Sequence, residues 1–221
     1  MNYYSEKDIR DIVAQVIAGV GLVNDQNTFK GMEVPVEISA RHVHLSKEAL
    51  DILFGKGYQL TEKRELSQPG QYLSEERIKL VTPRGEISNV AVLGPVREKV
   101  QVEVSFTDAR ILGLKPPLRL SGDLSGASDV ILIGPKGVYN AKESVIVAKA
   151  HVHMTQVDAE KYHVTDGETV SIQMNTERPV TLDNVLVRVS AQSGLAVHID
   201  YDEANAAQVG TPATGFLKKR R

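Results

Sequence analysis

Cysteine is absent from the 221 residues. Disulfides, thiolate metal ligands and a thiol nucleophile are excluded together, and any metal site must use nitrogen and oxygen donors. Charge of one sign is lacking too. With a formal net charge of −2 there is no global basic field to attract nucleic acid or an anionic membrane, and neither is expected as a partner. The end Lys218-Lys219-Arg220-Arg221 reads as a solvated tail. No apolar run approaches the ~20 residues of a membrane span. The first residues lack the basic-then-apolar pattern and cleavage site of a secretion signal, so a cytoplasmic location is expected. Missing as well are Gly-x-Ser-x-Gly, Gly-x-x-x-x-Gly-Lys and a credible Gly-x-Gly-x-x-Gly, and with them the serine elbow, the phosphate loop and the dinucleotide fingerprint.

Histidine is scarce, six residues in all, yet four of the six fall in two similar segments, Arg41-His42-Val43-His44-Leu45-Ser46 and Ala150-His151-Val152-His153-Met154-Thr155. Each follows a β-branched run, 34–38 or 145–147. An extended chain would put both imidazoles of a pair on one face, two residues apart, where they converge on a metal ion. One such pair alone is compatible with solvated side chains; two copies favour metal, and two ions rather than one. After each pair comes a hydroxyl, Ser46 or Thr155, placed to cap a helix over 47–54 or 156–162, with Asp158 completing a capping box. The repetition predicts an internal duplication with its chemistry at the junction of two similar halves.

Along the chain, residues 5–20 carry Ile9, Ile12, Val13, Val16, Ile17 and Val20 at helical spacing. This is an amphipathic helix, either docked on its own domain or a detachable targeting helix joined by the polar linker 24–30. Strands are expected at 34–44, 77–82, 86–93, 100–106, 118–120, 130–133, 145–153, 169–174, 185–190 and 195–201, with a final helix at 202–207. Gly94-Pro95 reads as a break, and the polar stretch 61–71 as loop. Many short strands with only short helices point to β-barrels or sandwiches capped by helices, and against a parallel α/β fold. At this length the chain forms one large domain or two small ones, and the duplication favours two.

Further ligands are sought on polar strand faces. On 195–201, Leu195, Val197, Ile199 and Tyr201 form one face and leave His198 with Asp200 on the other. Glu103 holds the same place on 100–106, where Val100, Val102, Val104 and Phe106 face the opposite way. Arg97, in the loop before that strand, could grip an anionic oxygen bidentately. His163 lies in a turn and reads as surface. Metals plus an arginine suit polarising a carbonyl and binding an anion.

Segments 36–46, Gly94-Pro95-Val96-Arg97, 107–113, 150–154 and 198–205, in that order, resemble the phosphate propanoyltransferases of the PduL type. The resemblance implies reversible transfer of a short acyl group, propanoyl or acetyl, between coenzyme A and inorganic phosphate. It implies two β-barrel domains capped by short α-helices: an outer one, 25–40 plus 149–221, and an inserted one, 41–148, with the helix of 1–24 outside both. Two zinc ions would lie between them, one on His42, His44 and Glu103, the other on His151, His153 and His198, with Arg97 on the phosphate. Ser39, Arg64, Leu93, His198 and Asn205 would contact coenzyme A, Arg64 standing where lysine is usual. Acyl-CoA and phosphate are the implied partners, along with a bacterial microcompartment shell or cargo protein reached through the N-terminal helix, and further copies of the chain in a homo-oligomer. Two other readings stand beside this one. A metal-dependent cupin would use His42, His44 and Glu48, although Glu48 falls in the first turn of a capped helix. A non-catalytic metal- or CoA-binding module would need no Arg97.

Overall fold

The computed structural model describes residues 32–219; the helix expected at 5–20 lies outside them. Six strands close into one barrel: β1 (Glu33–Ile38), β10 (His151–Met154), β11 (Thr169–Met174), β12 (Thr181–Val189), β13 (Ala196–Ile199) and β14 (Ala213–Lys219), in the order β1-β13-β10-β12-β11-β14. A second six-strand ring is built from β2 (His42–Ser46), β4 (Tyr72–Val81), β5 (Glu86–Arg97), β6 (Gln101–Glu103), β8 (Ser128–Ile133) and β9 (Val138–Ala148). Its pairings run β4-β5-β2-β6-β9-β8 and return from β8 to β4, while β3 (Glu62–Glu65) and β7 (Leu118–Arg119) hang on β4 and β9. The second ring is spliced into the first between β1 and β10, so the chain crosses between barrels at 39–41 and again at 149–150. Each barrel has its own apolar core, around Val43, Leu80 and Val102 in one and Val152, Ile172 and Val187 in the other.

Among the described residues, four short helices cap the barrels: α1 (Lys47–Phe54), α2 (Phe106–Leu112), α3 (Gln156–Lys161) and α4 (Tyr201–Ala206). Each begins directly after a strand of a barrel, on a side-chain cap: Ser46, Ser105, Thr155 and Asp200 accept a backbone N–H from three residues on, a contribution of about 1 kcal/mol apiece. The same unit, strand then cap then helix, therefore occurs four times. The two barrels also repeat one register: β2 runs antiparallel to β6 with His42 opposite Glu103, and β10 runs antiparallel to β13 with His151 opposite His198.

Several expectations are corrected here. The stretches 34–44 and 145–153 are not single strands, because β1 and β2, like β9 and β10, belong to different barrels. The strand at 100–106 ends at Glu103. Ser105 and Asp108 form a capping box, so Phe106 starts a helix and lies 47% exposed instead of facing the core. The strand at 195–201 ends at Ile199 for the same reason, with Asp200 and Glu203 as the box and Tyr201 in the helix. Strand β5 continues through Gly94-Pro95, and Arg97 is its last residue rather than part of a loop. The polar stretch 61–71 contains β3, and Lys218 and Lys219 of the expected solvated tail end β14, whose Gly215 and Phe216 pair with both β1 and β11 to close the barrel.

Clasps join the barrels. The Gln68 amide donates to the carbonyl of Gly194 at 3.0 Å and accepts from its N–H at 3.2 Å. Thr107 N–H donates to Asp202 at 2.8 Å, and Ser67 donates to Glu37 at 2.6 Å. A side chain on Gly194 would meet the Ser67 carbonyl oxygen at 2.5 Å, so only glycine lets the two loops approach this closely.

Candidate metal centre and active site

The cap positions fix the candidate ligands. Two residues before each cap stand His44, Glu103, His153 and His198, and four before it stand His42, Gln101, His151 and Ala196. Strand alternation brings the side chains of both positions to one face of each strand pair. The outcome is two compact groups, His42, His44 and Glu103 in one barrel and His151, His153 and His198 in the other, each with one ligand atom per residue within 4.8 Å of the rest. His151 Nε2 and His153 Nε2 are 3.1 Å apart, and His42 Nε2 is 3.6 Å from Glu103 Oε2. The expected groups thus come together.

Donor orientation is set from behind. His42 Nδ1 lies 2.8 Å from the carbonyl of Ala40, and His151 Nδ1 lies 2.8 Å from that of Lys149. A carbonyl can only accept, so each Nδ1 carries the proton and each Nε2 turns a lone pair to its cluster. His44 Nδ1 and His198 Nε2 are buried without a hydrogen-bond partner. An orphaned imidazole nitrogen costs free energy that a metal ion would recover, so the donor set fits metal.

Electrostatics agree with this. Burial first, and then neighbouring imidazoles and arginines, push His44 down to about 2, His153 to about 3 and, against the Lys149 carbonyl, His151 to about 4, so all three are neutral at pH 7 and able to ligate. Burial raises the Glu103 carboxyl, but His42 and a hydrogen bond from Ser121 outweigh it and hold the group below its ordinary range. At Glu37 the His198 imidazole 3.3 Å away leads, Ser67 adds to it, and burial opposes both; the carboxyl is lowered.

Both clusters open into one cleft of about 510 Å³ between the barrels. Arg97, Ser39, Arg64, Leu93 and His198 line it; Asn205 is exposed on α4 and does not. A wider open hollow of about 720 Å³ beside Phe54 and Tyr58 shares only Arg77 with the cleft and contains no histidine. His163 is exposed in the turn after α3, and Glu48 is exposed on α1, outside the cleft, which removes the carboxylate that a cupin reading requires. Sequence reasoning missed Gln101, Ser121, Glu37 and Arg188, all polar groups that bear on the site. Gln101 was legible in principle, since it occupies the position four before a cap that His42 and His151 hold.

The family model for phosphate propanoyltransferase matches residues 35–210. The chain belongs to the phosphate propanoyltransferase family. It is 49% identical over 214 residues to the phosphate propanoyltransferase of Alkaliphilus metalliredigens, covering 97% of this chain and 99% of that one. The Listeria monocytogenes protein of the same name is 51% identical over 187 residues (85% and 88%), and that of Thermotoga maritima 50% over 177 (80% and 84%). As a member of this family of transferases, the chain presents both clusters and Arg97 to one cleft.

Proposed function

We propose that the protein transfers a short acyl group, propanoyl or acetyl, reversibly between coenzyme A and inorganic phosphate. The observation that carries this reading, beside family membership, is that two metal-type clusters and the half-buried Arg97 open into one cleft. In the forward direction a phosphate oxygen attacks the thioester carbonyl carbon, the carbon–sulfur bond breaks, and sulfur leaves with the electron pair as the CoA thiolate. The product is acyl phosphate.

The residues divide this work. Arg97 holds and orients the phosphate: its guanidinium is half-buried, its pKa is lowered by burial and by Arg188 against the pull of Glu103, and it donates to Ser121 Oγ at 3.5 Å. His42, His44 and Glu103 would hold one zinc ion and His151, His153 and His198 the other. Bound zinc supplies Lewis acidity toward the carbonyl and stabilises the thiolate. Ser39, Arg64, Leu93 and His198 line the cleft where the thioester end of coenzyme A would enter, and Asn205 would meet an outer part of the cofactor on the surface. No cysteine is present to form an acyl-enzyme, consistent with direct transfer. Each barrel is taken as a domain, 25–40 plus 149–221 and 41–148. A cytoplasmic position inside a bacterial microcompartment, with residues 1–24 as the encapsulation helix docking on a shell or cargo protein, is part of the same reading, as is a homo-oligomer.

The test is free-thiol release from propanoyl-CoA, with and without phosphate, before and after chelation and zinc restoration. Phosphate-dependent release that chelator abolishes and zinc restores is expected. Thiol release indifferent to phosphate in metal-loaded protein overturns the reading. Arg97→Ala should keep its metal and lose phosphate-dependent turnover by roughly 100-fold or more.

A further inference from the structure

The two barrels are alike in register but differ at one place beside the clusters. Strand β2 has β5 as its parallel neighbour, with His44 level with Leu93; strand β10 has β12, with His153 level with Arg188. Where one barrel presents a leucine to the cleft, the other presents a guanidinium. Arg188 is half-buried and lines the cleft together with Arg97 and both clusters.

Its surroundings are short of anions. Among the described residues, no ion pair or hydrogen bond engages the Arg188 guanidinium. The carboxylates nearby are already committed: Glu37 accepts from Ser67 at 2.6 Å and lies 3.3 Å from His198 Nε2, while Glu103 accepts from Gln101 at 2.6 Å. Arg41, another cleft-lining guanidinium, is paired with Asp108, and Arg77 donates to the carbonyls of Ser74 and Glu76. Arg64, Arg97 and Arg188 line this cavity without an ion pair among the described residues, and Arg97 and Arg188 come to it from opposite barrels. Two guanidinium groups on one cavity, with the Glu103 carboxylate beside Arg97 already bound by Gln101, favour an anion between them, and a planar fork on each side suits the oxygens of a phosphate.

Resting on the proposed transferase reading, we infer that Arg188 is a second phosphate-binding residue, which with Arg97 grips the phosphoryl group from both barrels across the two clusters. The opposing barrels then both contribute to one anion site, Arg97 beside Glu103 and Arg188 beside His153. The same chemistry could be offered by a phosphate of coenzyme A, so the test separates the two.

Metal-loaded wild type, Arg188→Ala and Arg188→Lys are compared by steady-state kinetics and by the rise in melting temperature that inorganic phosphate produces. In Arg188→Ala the KM for phosphate should rise roughly 10- to 100-fold, the loss of one charge-assisted bidentate contact, while the KM for propanoyl-CoA stays within about twofold. The phosphate-induced thermal shift should vanish, the metal content should be unchanged, and Arg188→Lys should recover part of both. An unchanged phosphate KM with the thermal shift intact overturns the inference. A rise confined to the KM for propanoyl-CoA, and absent with propanoyl-pantetheine, also overturns it, because Arg188 would then read a CoA phosphate. The thermal shift needs no turnover, so failure of the transferase reading in wild type is seen separately, as absent phosphate-dependent thiol release.

Discussion

The Gln101 amide donates to Glu103 Oε1 at 2.6 Å and to Ser121 Oγ at 2.9 Å, and its carbonyl oxygen accepts the Gly122 N–H at 2.9 Å. These three bonds fix one carboxylate and the loop beside Arg97. One Glu103 oxygen is thereby occupied, and Oε2 is left toward His42. Such supporting partners orient a ligand as firmly as the chain itself does.

Gln101→Leu keeps the volume and removes these bonds. Metal affinity at the first cluster should fall roughly 10- to 100-fold, with the second cluster unaffected. Competitive chelator titration, resolving two binding steps, checks this. Equal weakening of both steps would count against the assignment.

His153→Ala removes a proposed ligand from the second cluster only, since the two groups share no residue. Bound zinc after dialysis, counted by elemental analysis, should drop from two equivalents to one, and thiol release should fall by several orders of magnitude. Two retained equivalents would show that His153 is no ligand.

Acid should destabilise the metal-free protein earlier than its carboxylates alone would require. The His44, His153 and His151 pKa values are lowered to about 2, about 3 and about 4, whereas the unfolded chain protonates near 6.5. Their contribution is full above pH 6.5 and is lost as the pH falls from there toward 4, because the unfolded state takes up protons that the folded state refuses. Denaturant midpoints measured from pH 7.5 to 4.5 should fall in the apoprotein and fall less with saturating zinc.

Glu203 acts in the opposite sense. Burial leads, with the Asp200 and Asp202 charges adding to it, and its carboxyl is raised to about 7. Ionising it in the folded state is unfavourable, so stability falls as pH rises from about 4.5 to 7 and the penalty is complete above 7. Glu203→Gln, which keeps an acceptor for the Asp200 N–H, should be more stable than wild type at pH 8, by on the order of 1–3 kcal/mol, and gain nothing at pH 4.5. A pH-independent difference would point to packing instead.

The two clusters were legible because histidine is rare and paired, and because alternation along a strand fixes which residues share a face. The ends of those strands were not. Val104, Ser105 and Phe106 continue an alternating pattern, but the Ser105–Asp108 box satisfies two helix N–H groups locally and ends the strand, and Asp200 with Glu203 does the same before Tyr201. Strand β14 was hidden because Lys218 and Lys219 read as solvent-loving, whereas only Gly215 and Leu217 face inward on a strand whose value lies in closing the ring. The assignment of β9 and β10 to different barrels rests on pairings far apart in sequence, which no local pattern reports. Arg188 escaped notice because its strand carries no motif, and its meaning comes from the cavity that it faces.

The carbonyls that orient His42 and His151 belong to Ala40 and Lys149, which sit in the two crossings between barrels. Ser39 N–H is tied to the Ile199 carbonyl at 2.7 Å and Lys149 N–H to that of Arg119 at 2.9 Å, so both crossings are pinned. A hinge placed there would twist one imidazole in each cluster whenever the barrels parted. On the proposed function, wide opening would therefore disturb both metal sites, and a long thioester would be threaded in from the rim rather than swallowed by a moving jaw.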